Sequence, residues 1–153
     1  MNFKCPLIVV NDMAASRKFY EDILGQKVIL DFGANITFAG DFCLQTKETW
    51  VDFIDKSEED IKAEANNLEL YFEEEDFDDF IAGLQKYEIQ YVHDVKGYPW
   101  GQRVIRFYDP DMHIIEVGES MVTVVKRFLT QGLSPEETAQ RTQHPIEFVR
   151  SCL

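Results

Sequence analysis

Two glutamates, Glu69 and Glu116, lie inside stretches of the sequence that are otherwise apolar. A polar side chain in the middle of an apolar strand costs free energy unless it is paired or hydrated. Binding a cation or a ligand would offset that cost for both carboxylates. The alternative is that each carboxylate only hydrogen-bonds across a wet cavity, or pairs with Arg103 or Arg106.

Side-chain alternation places further polar residues on a shared face. Alternate residues of a strand point to opposite sides, so Cys43 and Gln45 share one face while Leu44 points to the other. By the same rule Tyr71 lies on the face of Glu69. One side of each strand is therefore apolar and suited to pack under helices, and the other is polar and suited to line a cavity.

A loop at residues 94–100 carries aromatic side chains that could complete such a cavity. Tyr98 and Trp100 could close over its mouth and stack on a flat ligand, although Trp100 could equally pack under its own loop. Arg103, just after the loop, could pair with a ligand carboxylate or with Glu69. A surface salt bridge is the simpler explanation for this arginine.

A strand, a helix and three further strands must position these residues. The apolar run from Phe3 to Val10 predicts a strand, and Asn11-Asp12 directly after it can cap a helix. Apolar residues at four-residue spacing predict this helix over about 13–24, ending at Gly25. Three short strand-like stretches follow, at 27–32, 35–39 and 42–46.

The same pattern then restarts. A strand at 68–72 is followed by Glu75-Asp76 and by a second amphipathic helix. Asp76 lies 64 residues after Asp12, and the same offset carries Cys5 onto Glu69. Three strand-like stretches follow again, at about 88–93, 102–108 and 113–117. Two copies of one βαβββ module are the simplest interpretation.

The remaining segments lie outside the repeat. Residues 47–66 are charged and weakly patterned, and we interpret them as a connector with a short helix near Ser57. From Val122 onward the pattern is helical, and Ser134-Pro135-Glu136-Glu137 forms a capping box with proline at the first helical position. The chain therefore ends in a helical extension.

Length, charge and cysteine content limit the class of protein. A chain of 153 residues with 45% hydrophobic content predicts one compact unit. The net charge of -13 argues against a nucleic-acid partner and favours a neutral or cationic small ligand. No apolar run is long enough for a membrane span, and nothing resembles an export signal. Three widely spaced cysteines predict a reducing, cytoplasmic location.

Two segments resemble the vicinal oxygen chelate superfamily, which holds glyoxalase I, bleomycin-resistance proteins, fosfomycin-resistance enzymes and extradiol dioxygenases. They are Val10-Asn11-Asp12-Met13 through Phe19-Tyr20 to Leu24-Gly25, and Pro99-Trp100-Gly101-Gln102-Arg103 through Asp109-Pro110-Asp111 to Ile114-Ile115-Glu116. The resemblance implies an α+β domain over 1–118, whose modules at about 3–46 and 67–118 form a curved, mixed eight-stranded sheet around one cavity. Residues 119–153 are the C-terminal helical extension.

The resemblance also implies a site. The four positions at which family members can hold a divalent metal correspond to Cys5, Gln45, Glu69 and Glu116. Family members commonly place histidine where this chain has Cys5 and Glu69, so the two-histidine, one-carboxylate triad of a non-haem iron dioxygenase is missing. The resemblance implies zinc or nickel as the metal, if one is bound, and the soft thiolate of Cys5 would favour zinc. It could also be a plain buried apolar residue.

Three classes of function remain open. The first is a metal-dependent lyase or isomerase resembling glyoxalase I, in which Glu116 or Glu69 is the catalytic base. The substrate would then contact Tyr71, Tyr98, Trp100 and Arg103.

The second class is a metal-free protein resembling the bleomycin-resistance group, in which an acidic, aromatic cleft binds a cationic drug or metabolite. The third is an interaction module that uses the tail helices, although their basic residues are too few to argue for DNA. An open sheet surface in this superfamily favours a homodimer.

Overall fold

The computed structural model describes all 153 residues and shows an α+β protein with eight strands in two four-stranded mixed sheets. The strand–helix–three-strand order occurs twice, so the two predicted βαβββ modules are confirmed. The chain divides into two compact units. One unit holds Met1–Leu68 together with Asp109–His113, and the other holds Glu69–Tyr108 and Ile114–Leu153.

The first unit contains the first module and the connector. Its strands are β1 (Leu7–Val10), β2 (Val28–Asp31), β3 (Asn35–Phe38) and β4 (Cys43–Thr46), in the sheet order β1-β4-β3-β2. β1 and β4 run parallel, and the other neighbours are antiparallel. Helix α1 (Met13–Asp22) connects β1 to β2 and is capped by Asp12, whose carboxylate accepts hydrogen bonds from the backbone of Ala14 and Ala15.

The predicted alternation of apolar and polar faces accounts for the core of this unit. The apolar face of the sheet consists of side chains that are at most 2% exposed: Ile8, Val10, Ile36, Phe38 and Leu44. Tyr20 of α1 lies against Phe38, with ring centroids 5.5 Å apart. Burial of this face against α1 is the main source of stability for the module, because apolar area removed from water dominates folding.

The turn Asp109–His113 also belongs to this unit. The carboxylate of Asp109 accepts a hydrogen bond from the Tyr20 hydroxyl at 2.9 Å, and that of Asp111 accepts one from Ser16 Oγ at 3.0 Å. Asp111 also accepts a bond from the backbone N–H of Asn11. Burial and the neighbouring Asp109 raise the pKa of Tyr20 well above its ordinary value, so Tyr20 stays a neutral donor.

The connector contains one helix that the sequence did not predict. Helix α2 (Lys47–Phe53) begins directly after β4, and a short 3-10 helix follows at Glu58–Asp60, close to the predicted position. None of the α2 side chains is buried, and its seven residues span only about two turns, too few for a helical periodicity to be recognised in the sequence.

The second unit contains the second module. Its strands are β5 (Glu69–Glu74), β6 (Tyr91–Gly97), β7 (Arg103–Tyr108) and β8 (Ile114–Glu119), in the sheet order β5-β8-β7-β6. β5 and β8 run parallel, as β1 and β4 do. Helix α3 (Phe77–Leu84) buries Phe77 and Leu84.

Three helices complete this unit: α4 (Met121–Thr130), α5 (Pro135–Thr142) and α6 (Ile146–Ser151). Ser134 and Glu137 form the predicted capping box at the start of α5. Val125, Val149 and Cys152 form a buried cluster among the three helices. No helix in the chain has the length and apolar character needed to span a membrane.

Candidate functional site

Arg106 stands at the centre of a polar cluster on one face of the second sheet. In the strand register, Arg106 of β7 lies opposite Glu116 of β8, and Glu116 lies opposite Tyr71 of β5. Residues opposite each other in a sheet project from the same face. Glu69 joins this face because it lies two residues before Tyr71.

The guanidinium of Arg106 bonds both glutamates that the sequence singled out. Its Nε donates to Glu69 Oε2 at 2.9 Å, and its Nη2 forms an ion pair with Glu116 Oε2. Its Nη1 donates to the Tyr98 hydroxyl at 2.8 Å and approaches His93 Nε2 at 3.3 Å. Glu116 is only 7% exposed, so this pairing offsets the desolvation of its carboxylate.

The charges of this cluster do not cancel. Burial lowers the pKa of Arg106, but hydrogen bonds to Glu69 and Tyr98 outweigh burial and raise the pKa overall. Arg106 is therefore a permanent cation between two carboxylates. Glu73, two residues after Tyr71, adds another carboxylate on the outward side of β5, so the face as a whole is acidic.

The two aromatic residues of the predicted loop lie against this cluster. The rings of Tyr98 and Trp100 stack with centroids 4.6 Å apart, and Arg106 lies 5.9 Å from the centre of the Tyr98 ring. The turn that carries them needs glycine directly after Trp100: Gly101 has φ +95°, and a Cβ there would lie 2.3 Å from the ring of Phe128. The loop is thus fixed by packing, which holds both rings in place.

Trp100 and Tyr71 are connected through one buried amide. Trp100 Nε1 donates to Gln102 Oε1 at 3.1 Å, and Gln102 Nε2 donates to the Tyr71 hydroxyl at 2.8 Å. Tyr71 donates in turn to Glu73. Burial raises the pKa of Tyr71 to about 12, the bond from Gln102 opposes this, and Glu73 adds to it. Tyr71 is therefore a neutral hydrogen-bonding group on this face.

Arg103 belongs to a different network. Its guanidinium bonds Asp78 and Glu119, both at 2.8 Å, and does not contact Glu69. Glu119 is 1% exposed and also pairs with Arg127 of α4. Burial alone would raise the pKa of Glu119, but the bonds from Arg127 and Arg103 lower it to about 2. Arg103 thus joins β7 to β8 and α3 through ion pairs.

The predicted site residues of the first module are held by neutral partners. Gln45 is 3% exposed, accepts a hydrogen bond from Asn35 Nδ2 at 2.9 Å and donates to Thr49 of α2. Its amide is therefore satisfied within the unit. Cys5 lies just before β1, and its sulfur is 2.8 Å from that of Cys43 at the start of β4.

Two residues of these clusters were not among the predicted site residues. Arg106 appeared in the sequence only as a possible partner for the glutamates, and it is in fact the residue that brings Glu69 and Glu116 together. Cys43 was placed on the polar face, but its contact with Cys5 was not foreseen. The register between strands that are distant in sequence supplies both contacts, and the sequence alone does not fix that register.

The predicted metal ligands fit a cation poorly in their present arrangement. The guanidinium of Arg106 fills the space between Glu69 and Glu116 that a cation bound to both would need. Cys5 contacts Cys43, and Gln45 is bonded to Asn35 and Thr49. No group of three or more His, Cys, Asp and Glu side chains has the arrangement of a metal site.

A separate cavity of about 280 Å³ lies in the first unit. It is bordered by β1, by residues 61–68 of the connector and by residues 111–113 of the turn, and Lys47 and Lys62 are its basic residues. None of the predicted site residues borders it.

A family model described as "Glyoxalase-like domain" matches residues 3–122. No curated protein matches the chain. Among solved structures, a protein of unknown function from Agrobacterium tumefaciens is 36% identical, covers 78% of this chain and 94% of its own, and superposes with a TM-score of 0.70.

Two further structures share the fold at lower identity. A glyoxalase-related enzyme from Fulvimarina pelagi is 17% identical, with a TM-score of 0.62 and coverage of 76% of this chain and 88% of its own. A lactoylglutathione lyase from Agrobacterium tumefaciens is 21% identical, with a TM-score of 0.54 and coverage of 79% and 95%.

Proposed function

Because the chain belongs to the glyoxalase-like domain family, we propose that it binds a small cationic or neutral organic molecule on the polar face of its second sheet, without a metal ion. The observation that carries this proposal is the position of Arg106, which already supplies the positive charge that Glu69 and Glu116 need. A fold of this kind can hold many chemistries, so the function is argued from the site.

The composition of the face favours a flat or cationic ligand. Glu69, Tyr71 and Glu73 are all exposed along β5, and the stacked rings of Tyr98 and Trp100 lie on the same polar cluster. Aromatic faces attract cations, and an acidic surround raises the local concentration of a positively charged ligand. The names of two solved structures with this fold, from Nocardioides and from Burkholderia phytofirmans, include "bleomycin resistance protein", so bleomycin is the first probe.

Binding can be tested on protein that has been treated with a chelator. Titration with bleomycin, and separately with the planar cation ethidium, is expected to give saturable binding for at least one probe by calorimetry. Glu69→Gln and Trp100→Ala should each weaken it about tenfold, which corresponds to about 1.4 kcal/mol. Lys62→Ala, in the separate cavity, is the matched control and should not weaken it. The proposal would be contradicted if neither probe binds, or if binding requires a divalent metal.

A metal-dependent lyase or isomerase is the second candidate, because Glu69 and Glu116 project from the same face of the second sheet. The resemblance implies Gln45, Glu69, Glu116 and Cys5 as ligands of zinc or nickel, with Glu116 or Glu69 as the base, and Arg106 would have to leave the two carboxylates before they could bind the metal. Metal analysis of protein purified without chelators tests this, with Glu116→Gln as the matched variant. About one equivalent of metal in the wild type and much less in the variant would support it, whereas equal content would remove it.

We also propose a homodimer in the cytoplasm. The outer strands of both sheets expose apolar side chains, among them Phe32, which follows β2 and is 73% exposed, and Val92 and Val95 on β6. A second copy of the chain could cover such an edge. Light scattering should show a dimer that Phe32→Glu converts to monomer.

The proposed location in the cytoplasm rests on the cysteines. All three are free, which suits a reducing compartment.

A further inference from the structure

Two cysteines of the first unit form a close sulfur pair outside the proposed ligand face. Cys5 Sγ lies 2.8 Å from Cys43 Sγ. Cys5 is half-buried and precedes β1, whereas Cys43 is buried and begins β4. A disulfide bond needs sulfurs about 2.05 Å apart, so the two thiols lie less than about 1 Å from bonding distance.

The backbone already holds the two cysteines next to each other. The N–H of Cys43 donates to the carbonyl of Pro6 at 3.0 Å, directly beside Cys5. The parallel pairing of Leu7 with Cys43 then continues along β1 and β4. A bond between the sulfurs would therefore require rotation of side chains but no rearrangement of strands.

The positions of the three cysteines favour a bond between Cys5 and Cys43 over one that involves Cys152. The third cysteine, Cys152, lies in the cluster formed by the C-terminal helices, and its thiol is bonded to the carbonyl of Phe148. Thr37 Oγ1 is 3.4 Å from Cys43 Sγ and is the other polar contact of the pair. The chain thus offers one dithiol and one isolated thiol.

We propose that Cys5 and Cys43 are a reversible oxidation site that reacts with hydroperoxides to form a disulfide within the chain. This inference does not depend on the ligand proposed above, because the ligand face belongs to the second sheet. Its substrate class is a small hydroperoxide, and a small dithiol reduces the disulfide to the two thiols and is itself oxidised to a disulfide.

The reaction proceeds in two steps. Cys5 is the more accessible of the two cysteines. Its bond to Cys43, burial and the charge of Asp41 raise the pKa of its thiol, so the reaction should become faster as pH rises and more thiolate forms. The Cys5 thiolate attacks the terminal oxygen of the peroxide, the O–O bond breaks, and the released alkoxide or hydroxide takes up a proton. Cys5 is then a sulfenic acid. The thiolate of Cys43 attacks its sulfur, the S–O bond breaks, and hydroxide leaves and is protonated to water. Two electrons have passed from the two thiols to the peroxide, and one S–S bond has formed.

Oxidation should also change the stability of the protein. The bond would tie the segment before β1 to β4 and close a loop between residues that are 38 positions apart. Loop closure of this size restricts the unfolded chain, and we expect Tm to rise by roughly 10 °C. Reduction with dithiothreitol should return Tm to its starting value.

The test treats fully reduced wild-type protein with hydrogen peroxide and then alkylates the remaining thiols under denaturing conditions. Of the three free cysteines, only Cys152 should still be alkylated. Non-reducing peptide mapping should recover one cross-linked pair that contains Cys5 and Cys43. This measurement uses no variant, so it does not depend on whether a substituted protein folds.

Matched variants sharpen the result. Cys152→Ser should form the same cross-link and show the same rise in Tm, whereas Cys5→Ser should show neither. The proposal is overturned if peroxide leaves all three thiols free, if it carries Cys5 to the sulfinic acid without cross-linking, or if the disulfide that forms contains Cys152.

Discussion

The two modules share one arrangement of strands and helix. The side chains on the polar face of each sheet differ. Leu7 lies opposite Cys43 in the first sheet, and Tyr71, which is 64 residues after Leu7, lies opposite Glu116 in the second. Cys43 and Glu116 therefore occupy equivalent positions, and the offset that aligns the helix caps also places Cys5 on Glu69. A pair of thiols in one module corresponds to a pair of carboxylates in the other.

The residue that contacts each pair from the neighbouring strand shows the same contrast. Thr37 lies opposite Cys43, where the second module places Arg106 opposite Glu116. The equivalent of Gln45 is Gly118, since Val9 lies opposite Gln45 and Glu73 lies opposite Gly118. At these positions the first module has neutral groups and the second has mainly charged ones. The repeat therefore dictates where polar groups lie but not their chemistry.

The largest effect is expected from removing the central charge of the second module. Arg106→Leu leaves Glu69 and the buried Glu116 without their cation, which should cost about 3 kcal/mol of unfolding free energy in urea. The equivalent change in the first module, Thr37→Val, should cost about 1 kcal/mol or less.

The double variant Arg106→Leu with Glu116→Leu tests the cause of that loss. It should recover much of the stability, since an apolar pair of similar volume can replace a buried ion pair. Equal losses for Arg106→Leu and Thr37→Val would show that the modules do not differ in this way.

Acid should weaken the second module through Glu119. Its pKa is about 2 in the folded protein, below the value of 4.5 for a free glutamate, so its contribution is present in full above about pH 4.5 and is lost as pH falls toward 2. The shift corresponds to about 3 kcal/mol. Glu119→Gln should lower stability at pH 7 by a similar amount and flatten the acid limb of the stability profile. An unchanged acid limb would contradict this prediction.

A smaller effect is expected for the neutral network of the first module. Gln45→Leu leaves the Asn35 side-chain amide without its acceptor and removes one bond of Thr49, which keeps its bonds to Thr46; the change should cost about 1–2 kcal/mol. The loss should be the same at pH 4 and pH 7, because no charge is removed. Unfolding curves at both pH values measure it, and a loss that varies with pH would place a charged group in this network.

The smallest difference concerns the two helix caps that revealed the repeat. Asp12 accepts hydrogen bonds from two backbone N–H groups of α1, whereas the side chain of Asp76 caps none in α3. Asp12→Ala should therefore cost about 1 kcal/mol, and Asp76→Ala a few tenths at most. Comparable losses in thermal unfolding would mean that helix-dipole charge, and not the cap bond, dominates at both sites.

The sequence predicted the modules well because their signals are local. Strand alternation, helix spacing and the aspartate that precedes each helix, Asp12 or Asp76, each depend on residues close together in the chain. The contacts of the polar face depend instead on strand register. The sequence offered Arg103 and Arg106 as partners for Glu69 and Glu116. The register places only Arg106 opposite Glu116, whereas Arg103 pairs with Glu119.

Two further features could not be predicted from patterns of residues that are close together in the chain. Cys5 meets Cys43 through parallel pairing of β1 with β4, strands that are separated by a helix and two other strands. Helix α2 was missed because its seven residues span only about two turns. Strand register and short helices leave weak signals in a single sequence.

The turn at Asp109–His113 makes the first module incomplete when it is cut out as a continuous fragment. A protein ending at Leu68 would keep every strand and helix of that module but would lose the acceptors for Tyr20 and Ser16. Tyr20 would then be a buried hydroxyl without a bond, a defect that costs about 1–3 kcal/mol. A repeated pattern of strands and helix therefore does not make the halves separable, because residues 109–113, which lie within the second module, belong to the first unit.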